Sequence, residues 1–106
     1  LYPATQRIYR DFADAGLSLA ALAKEAHVCE CYLRKLFKQE FGLTPRQFVN
    51  KVRIDHARML LCENRFSISE IAAQCGFSSV YYFCKAFRAA TGFTAGQYAK
   101  NNSLKL

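Results

Sequence analysis

The stretch from Ser67 to Phe77, SISEIAAQCGF, decides the fold, because the stretch from Ser18 to Val28, SLAALAKEAHV, has the same design. Laid over one another at an offset of 49 residues, they pair Ser18 with Ser67, Leu19 with Ile68, Leu22 with Ile71 and Ala23 with Ala72. In each, a serine suited to accept from free backbone N–H groups precedes apolar residues recurring at three and four, the pattern of a short helix with one buried side. Glu70 stands three residues after Ser67, where its carboxylate can reach back to the backbone of the capping residue. Gly76 then permits a sharp turn, and His27 and Val28 stand at the corresponding turn of the first copy.

Beyond the turn, one extra residue in the second copy moves the offset to 50. Leu33 then pairs with Phe83, Phe37 with Phe87, Gly42 with Gly92, Thr44 with Thr94 and Gln47 with Gln97. Each copy is a short helix, a tight turn and a longer helix, the grammar of a helix-turn-helix unit. A period near 50 could also mark a helical solenoid, but two copies are too few to stack stably.

Working outward, the apolar spacing predicts helices throughout and no strand, an all-α chain of seven helices. The first runs from about Ala4 to Ala15, with Ile8, Phe12 and Ala15 as its apolar stripe and Gly16 as its stop. The second covers 19–26, the third 30–41 and ends at Gly42. Thr44, Pro45 and Gln47 start a long fourth helix that reaches about Glu63, with Phe48, Val49, Val52, Ala57, Leu60 and Leu61 inward. The fifth reaches Cys75, the sixth covers 79–91 with Phe83, Ala86, Phe87 and Ala90 inward, and a short seventh follows Thr94 to about Lys100. Residues 101–106 are expected to fray. This divides the chain into a first helix-turn-helix subdomain over 1–48, a linker helix over 49–63 and a second subdomain over 64–106.

The third helix turns Leu33, Phe37 and Phe41 inward, which leaves Cys31, Arg34, Lys35 and Lys38 on an opposing stripe. Fifty residues on, the sixth helix carries Tyr81, Cys84, Lys85 and Arg88. Neither stripe contains a carboxylate. On one helix such a stripe would be read as a solvated face, but its recurrence favours a role. A major groove about 12 Å wide admits one α-helix, whose Arg or Lys can pair with guanine and whose small or aromatic groups can meet thymine. The fourth helix spans roughly 27 Å, close to the 34 Å or so of one duplex turn. Its Lys51, Arg53 and Arg58 are candidates for neutralising phosphates, as are Lys38 and Arg88.

Composition agrees. Fifteen Lys and Arg against eight Asp and Glu give a net charge of +7 in 106 residues, which favours a polyanionic partner. Apolar runs fall short of the roughly 18 residues of a membrane span, and no secretory leader is visible, so a soluble cytoplasmic protein without membrane contact is expected. Five cysteines rule out a complete disulfide framework and point to reduced thiols. The chain starts at Leu1, as a fragment of a longer protein would.

Other constellations are weaker. His27, Cys29, Cys31 and His56 invite zinc, yet residues two apart on a helix diverge by about 200°, so no metal or other cofactor is expected. Neither histidine has the partners of a general base, so catalysis is not expected. Cys31 and Cys84 beside cations suggest a thiol-based sensor or repair protein, and the basic stripes suggest a module docking an acidic protein; both are alternatives to nucleic acid.

The run ISEIAAQCGFSSVYYFCKAFRAATGFTAGQY, with LRKLFKQEFGLTPRQF and VRIDHARMLL upstream, resembles the DNA-binding domain of the AraC/XylS family of bacterial transcription regulators. The resemblance covers about residues 2–99. It implies that the third and sixth helices enter successive major grooves of double-stranded DNA, joined by the fourth. Residues at the family's base-reading positions are Cys31, Arg34 and Lys35, and Tyr81, Cys84 and Lys85, with Val80 beside them. Activation is common among the proteins it resembles, with repression left open, and the resemblance also implies RNA polymerase as a partner and an N-terminal effector-sensing domain outside this sequence. Three residues depart from the family pattern: Ala95 replaces a common Pro, Ala99 a common Arg and Cys29 a capping Ser.

Overall fold

The computed structural model describes residues 2–102, and every regular element among them is helical. In order these are α1 (Tyr2–Asp11), α2 (Leu19–Ala26), α3 (Glu30–Phe41), α4 (Pro45–Glu63), α5 (Ile68–Gln74), α6 (Val80–Thr91) and α7 (Ala95–Asn102). Residues 103–106 of the expected frayed tail lie outside the described residues.

The expected caps form. Ser18 accepts from the N–H of Ala21 and Ser67 from that of Glu70, both at 3.1 Å; Ser79, expected as the first residue of the sixth helix, instead caps it by accepting from the N–H of Tyr82 at 3.1 Å. Glu70 closes its box by accepting from the N–H of Ser67 at 2.9 Å. Thr44 with Gln47, and Thr94 with Gln97, make the same reciprocal pair at the starts of α4 and α7. Ala95 therefore suffices at the first position of α7, because the cap and not a proline sets the start. Cys29 makes no side-chain cap bond, so α3 begins without the stabilisation that Ser79 gives α6. Gly42 and Gly92 close α3 and α6 in the left-handed region, at φ 71° and 82°.

The chain divides into two compact units, Leu1–Val52 and Arg53–Leu106, and the division falls inside α4. In the first unit, Ala4, Ile8, Leu22, Ala23, Leu33 and Phe37 form a core with Phe48 and Val49 from the start of α4. The second builds its core from Ile54, Ala57, Leu60 and Leu61 of the same helix with Ile71, Ala72, Cys75, Phe77, Phe83, Phe87 and Ala95. Thus α4 closes one bundle with its first half and opens the next with its second. Each core holds packed rings: Phe37 lies 5.4 Å from Phe48, and Phe87 lies 5.3 Å from Tyr98. Burial of each such ring contributes about 2–3 kcal/mol.

Four expectations need correction. Helix α1 ends at Asp11 and not at Ala15, because the N–H of Asp14 bonds the carbonyl of Asp11 and the Asp14 carboxylate accepts from Gly16. Ala15 is consequently exposed, and Gly16 belongs to the following turn. Ala90 is exposed on α6 although it was expected inward. Phe41 is only partly covered, at 39 % exposure, its ring lying 4.7 Å from Phe48. Ile54, absent from the expected inward face of α4, is buried.

Candidate nucleic-acid interface

Each long helix of a unit is anchored by two wholly buried side chains four residues apart, Leu33 and Phe37 on α3 and Phe83 and Phe87 on α6. That anchoring fixes which residues point outward. From 31 to 40 and from 81 to 90 the sequence of buried, half-buried and exposed positions is identical. Cys31, Arg34, Lys35 and Lys38 are exposed on α3, and Tyr81, Cys84, Lys85 and Arg88 are exposed on α6. Each row lies within its own unit, and Val80 adjoins the second as the first residue of α6.

No carboxylate among the described residues pairs with Arg34, Lys35, Lys38, Lys85 or Arg88. Ion pairs lie elsewhere: Arg7 bridges Asp11 and Glu25, tying α1 to α2, and Arg58 approaches Asp55 at 3.9 Å. Rows of unmatched cations have a strong field and little competition for an anionic ligand.

The α4 candidates separate. Lys51 is exposed, and Arg58 is half-exposed beside Asp55. Arg53 is a correction: it is 9 % exposed, with its guanidinium 6.0 Å from the centre of the Phe77 ring. A side chain held there covers an aromatic face and is not placed to meet a phosphate. Its charge also acts on Cys75, whose thiol burial pushes up to about 11 while Arg53 pulls in the opposite direction.

Two residues missed in the sequence reading are Tyr32 and Tyr82, which are exposed beside the two rows at equivalent positions. Their recurrence at an offset of 50 was the available signal. None of the five cysteines forms a disulfide. Among the described residues no three His, Cys, Asp or Glu side chains gather as a metal site requires, and no helix is long and apolar enough to cross a membrane.

Residues 22–101 match a family model described as a helix-turn-helix domain. An AraC-type DNA-binding transcriptional regulator from Chromobacterium violaceum superposes with a TM-score of 0.87 at 27 % identity, over 100 % of this chain and 94 % of that one. The chain belongs to the AraC/XylS family. The C-terminal domain of AraT, a response regulator from Geobacillus stearothermophilus, shares this AraC-type fold with a TM-score of 0.90 and 31 % identity, covering 96 % of this chain and 84 % of that one. RhaR, an HTH-type transcriptional activator of Escherichia coli, is 39 % identical over 88 residues, 83 % of this chain and 31 % of RhaR. The chain therefore spans about a third of the length of that relative. It is an AraC-type DNA-binding domain.

Proposed function

We propose that this domain binds double-stranded DNA by sequence and serves transcription regulation, with α3 and α6 inserted in successive major grooves. The observation that carries the proposal is the same exposed, carboxylate-free, cationic row at equivalent positions of both helices. Cys31, Arg34 and Lys35, and Val80, Tyr81, Cys84 and Lys85, are assigned to base edges. Lys38, Lys51, Arg58 and Arg88 are assigned to phosphates. Residues 49–63 of α4 act as the linker between the subdomains 1–48 and 64–106, and as a 19-residue helix α4 spans about 28 Å, against roughly 34 Å for one duplex turn. RNA polymerase, a separate effector-sensing domain, a role in activation and a cytoplasmic location follow from the family reading.

Titration of labelled duplex at several salt concentrations tests this reading. Affinity falls as salt rises, by nearly one unit of log–log slope per phosphate contact. On a selected site, Arg34→Ala and Lys85→Ala each weaken binding by about 1–3 kcal/mol while sparing random duplex. Equal losses on both duplexes would make these residues phosphate contacts. Absence of duplex affinity would leave a protein-docking module.

A further inference from the structure

We infer that the two units read chemically unequal boxes, the first rich in G·C pairs and the second rich in A·T pairs with a single guanine. The inference rests on the DNA-binding reading and adds what the duplex must look like. Equivalent positions of the two rows differ in chemistry. On α3 the exposed Arg34 and Lys35 are adjacent donors, and both side-chain types favour the O6 and N7 acceptors of guanine. Glu30, exposed at the head of α3, is an acceptor of the kind that suits the cytosine amino group.

On α6 each of these features except one is replaced. Cys84 stands in the place of Arg34, Tyr81 in that of Cys31 and Val80 in that of Glu30. Tyr81 is 77 % exposed and Val80 38 %, so these two positions of α6 offer aromatic and apolar surface where α3 has a thiol, Cys31, and an acid, Glu30. In a major groove the partner for such surface is the C5-methyl group of thymine. Only Lys85 keeps the chemistry of its counterpart, Lys35, which leaves one guanine common to both boxes. Phosphate contacts are not part of this difference, since Lys38 and Arg88 are both cationic.

The test selects bound duplexes from a random pool with the 106-residue chain. Expected are one box with adjacent guanines and a second dominated by thymine around one guanine. Arg34→Ala then erases a guanine from the first box alone, and Cys84→Arg adds one to the second box alone. Replacing thymine by uracil in the second box, which leaves the protein untouched, weakens binding about fourfold for each methyl lost from a contact. Boxes of equal G·C content, a Cys84→Arg variant that alters the first box, or full tolerance of uracil would each overturn the inference. Failure of the chain to retain any duplex in a salt-dependent way would overturn the DNA-binding reading itself.

Discussion

The guanidinium of Arg53 lies 6.0 Å from the centre of the Phe77 ring, inside the second unit and beside the turn that joins α5 to α6. Phe77 follows Gly76, whose φ of 88° makes the turn, and its ring lies 5.1 Å from Phe83 at the buried side of α6. Arg53→Ala uncovers the Phe77 face and removes the packed stem, lowering stability by about 2–3 kcal/mol in chemical denaturation. Arg53→Lys recovers part of the loss. With both variants folded, the salt slope of duplex binding stays unchanged; a slope reduced by about one would return Arg53 to the phosphate contacts.

Cys29 and Ser79 occupy equivalent capping positions, and only Ser79 makes the bond. Cys29→Ser supplies the missing acceptor and raises stability by about 1 kcal/mol, while Ser79→Ala lowers it by about 0.5–2 kcal/mol. Thermal denaturation of the two variants checks both signs.

Gly92 adopts φ 82°, and a Cβ built there would meet nothing within 4 Å. The cost of Gly92→Ala is therefore conformational and not steric, about 1–2 kcal/mol. Gly92→Asn, which tolerates the left-handed region better, loses less. Equal denaturation midpoints for the alanine variant and the parent would contradict the backbone argument.

The Glu70 carboxyl is held below its ordinary value of 4.5, first by its bond from the Ser67 backbone and then by the Ser67 side chain. A depressed carboxyl contributes stability that is present above the unfolded value and lost as pH falls through the lower folded one. Melting curves should show the parent losing its advantage over Glu70→Gln on acidification from pH 5 downward. An advantage independent of pH would sink this account.

Much of the fold was legible because its punctuation is local. The serines at 18 and 67, the threonine–glutamine pairs and the glycines at 42 and 92 each act on residues within one turn, so spacing alone exposes them; Ser79 acts as locally but was placed inside the helix that it caps. The end of α1 was not legible for the same physical reason read backwards: the Asp14 carboxylate captures the N–H of Gly16 and overrides an apolar stripe that continued to Ala15. Arg53 was misread because an arginine on a helix is exposed by default, and its partner, Phe77, comes from a distant turn. Outward placement of the two rows could be read, since buried Leu33, Phe37, Phe83 and Phe87 dictate the opposite faces. The exposure of Phe41 and Ala90 could not, since both fall on the apolar spacing that continues the inward face, Phe41 four residues after Phe37 and Ala90 three after Phe87.

One helix serving as the last wall of one bundle and the first wall of the next makes the halves hard to separate. A chain cut between Val52 and Arg53 strips each fragment of the continuous backbone ladder that holds its share of α4 in place, since either remnant is too short to be helical alone in water. Neither fragment is then a ready-made smaller domain, and an engineer wishing to exchange one helix-turn-helix unit must carry the whole of α4 with it.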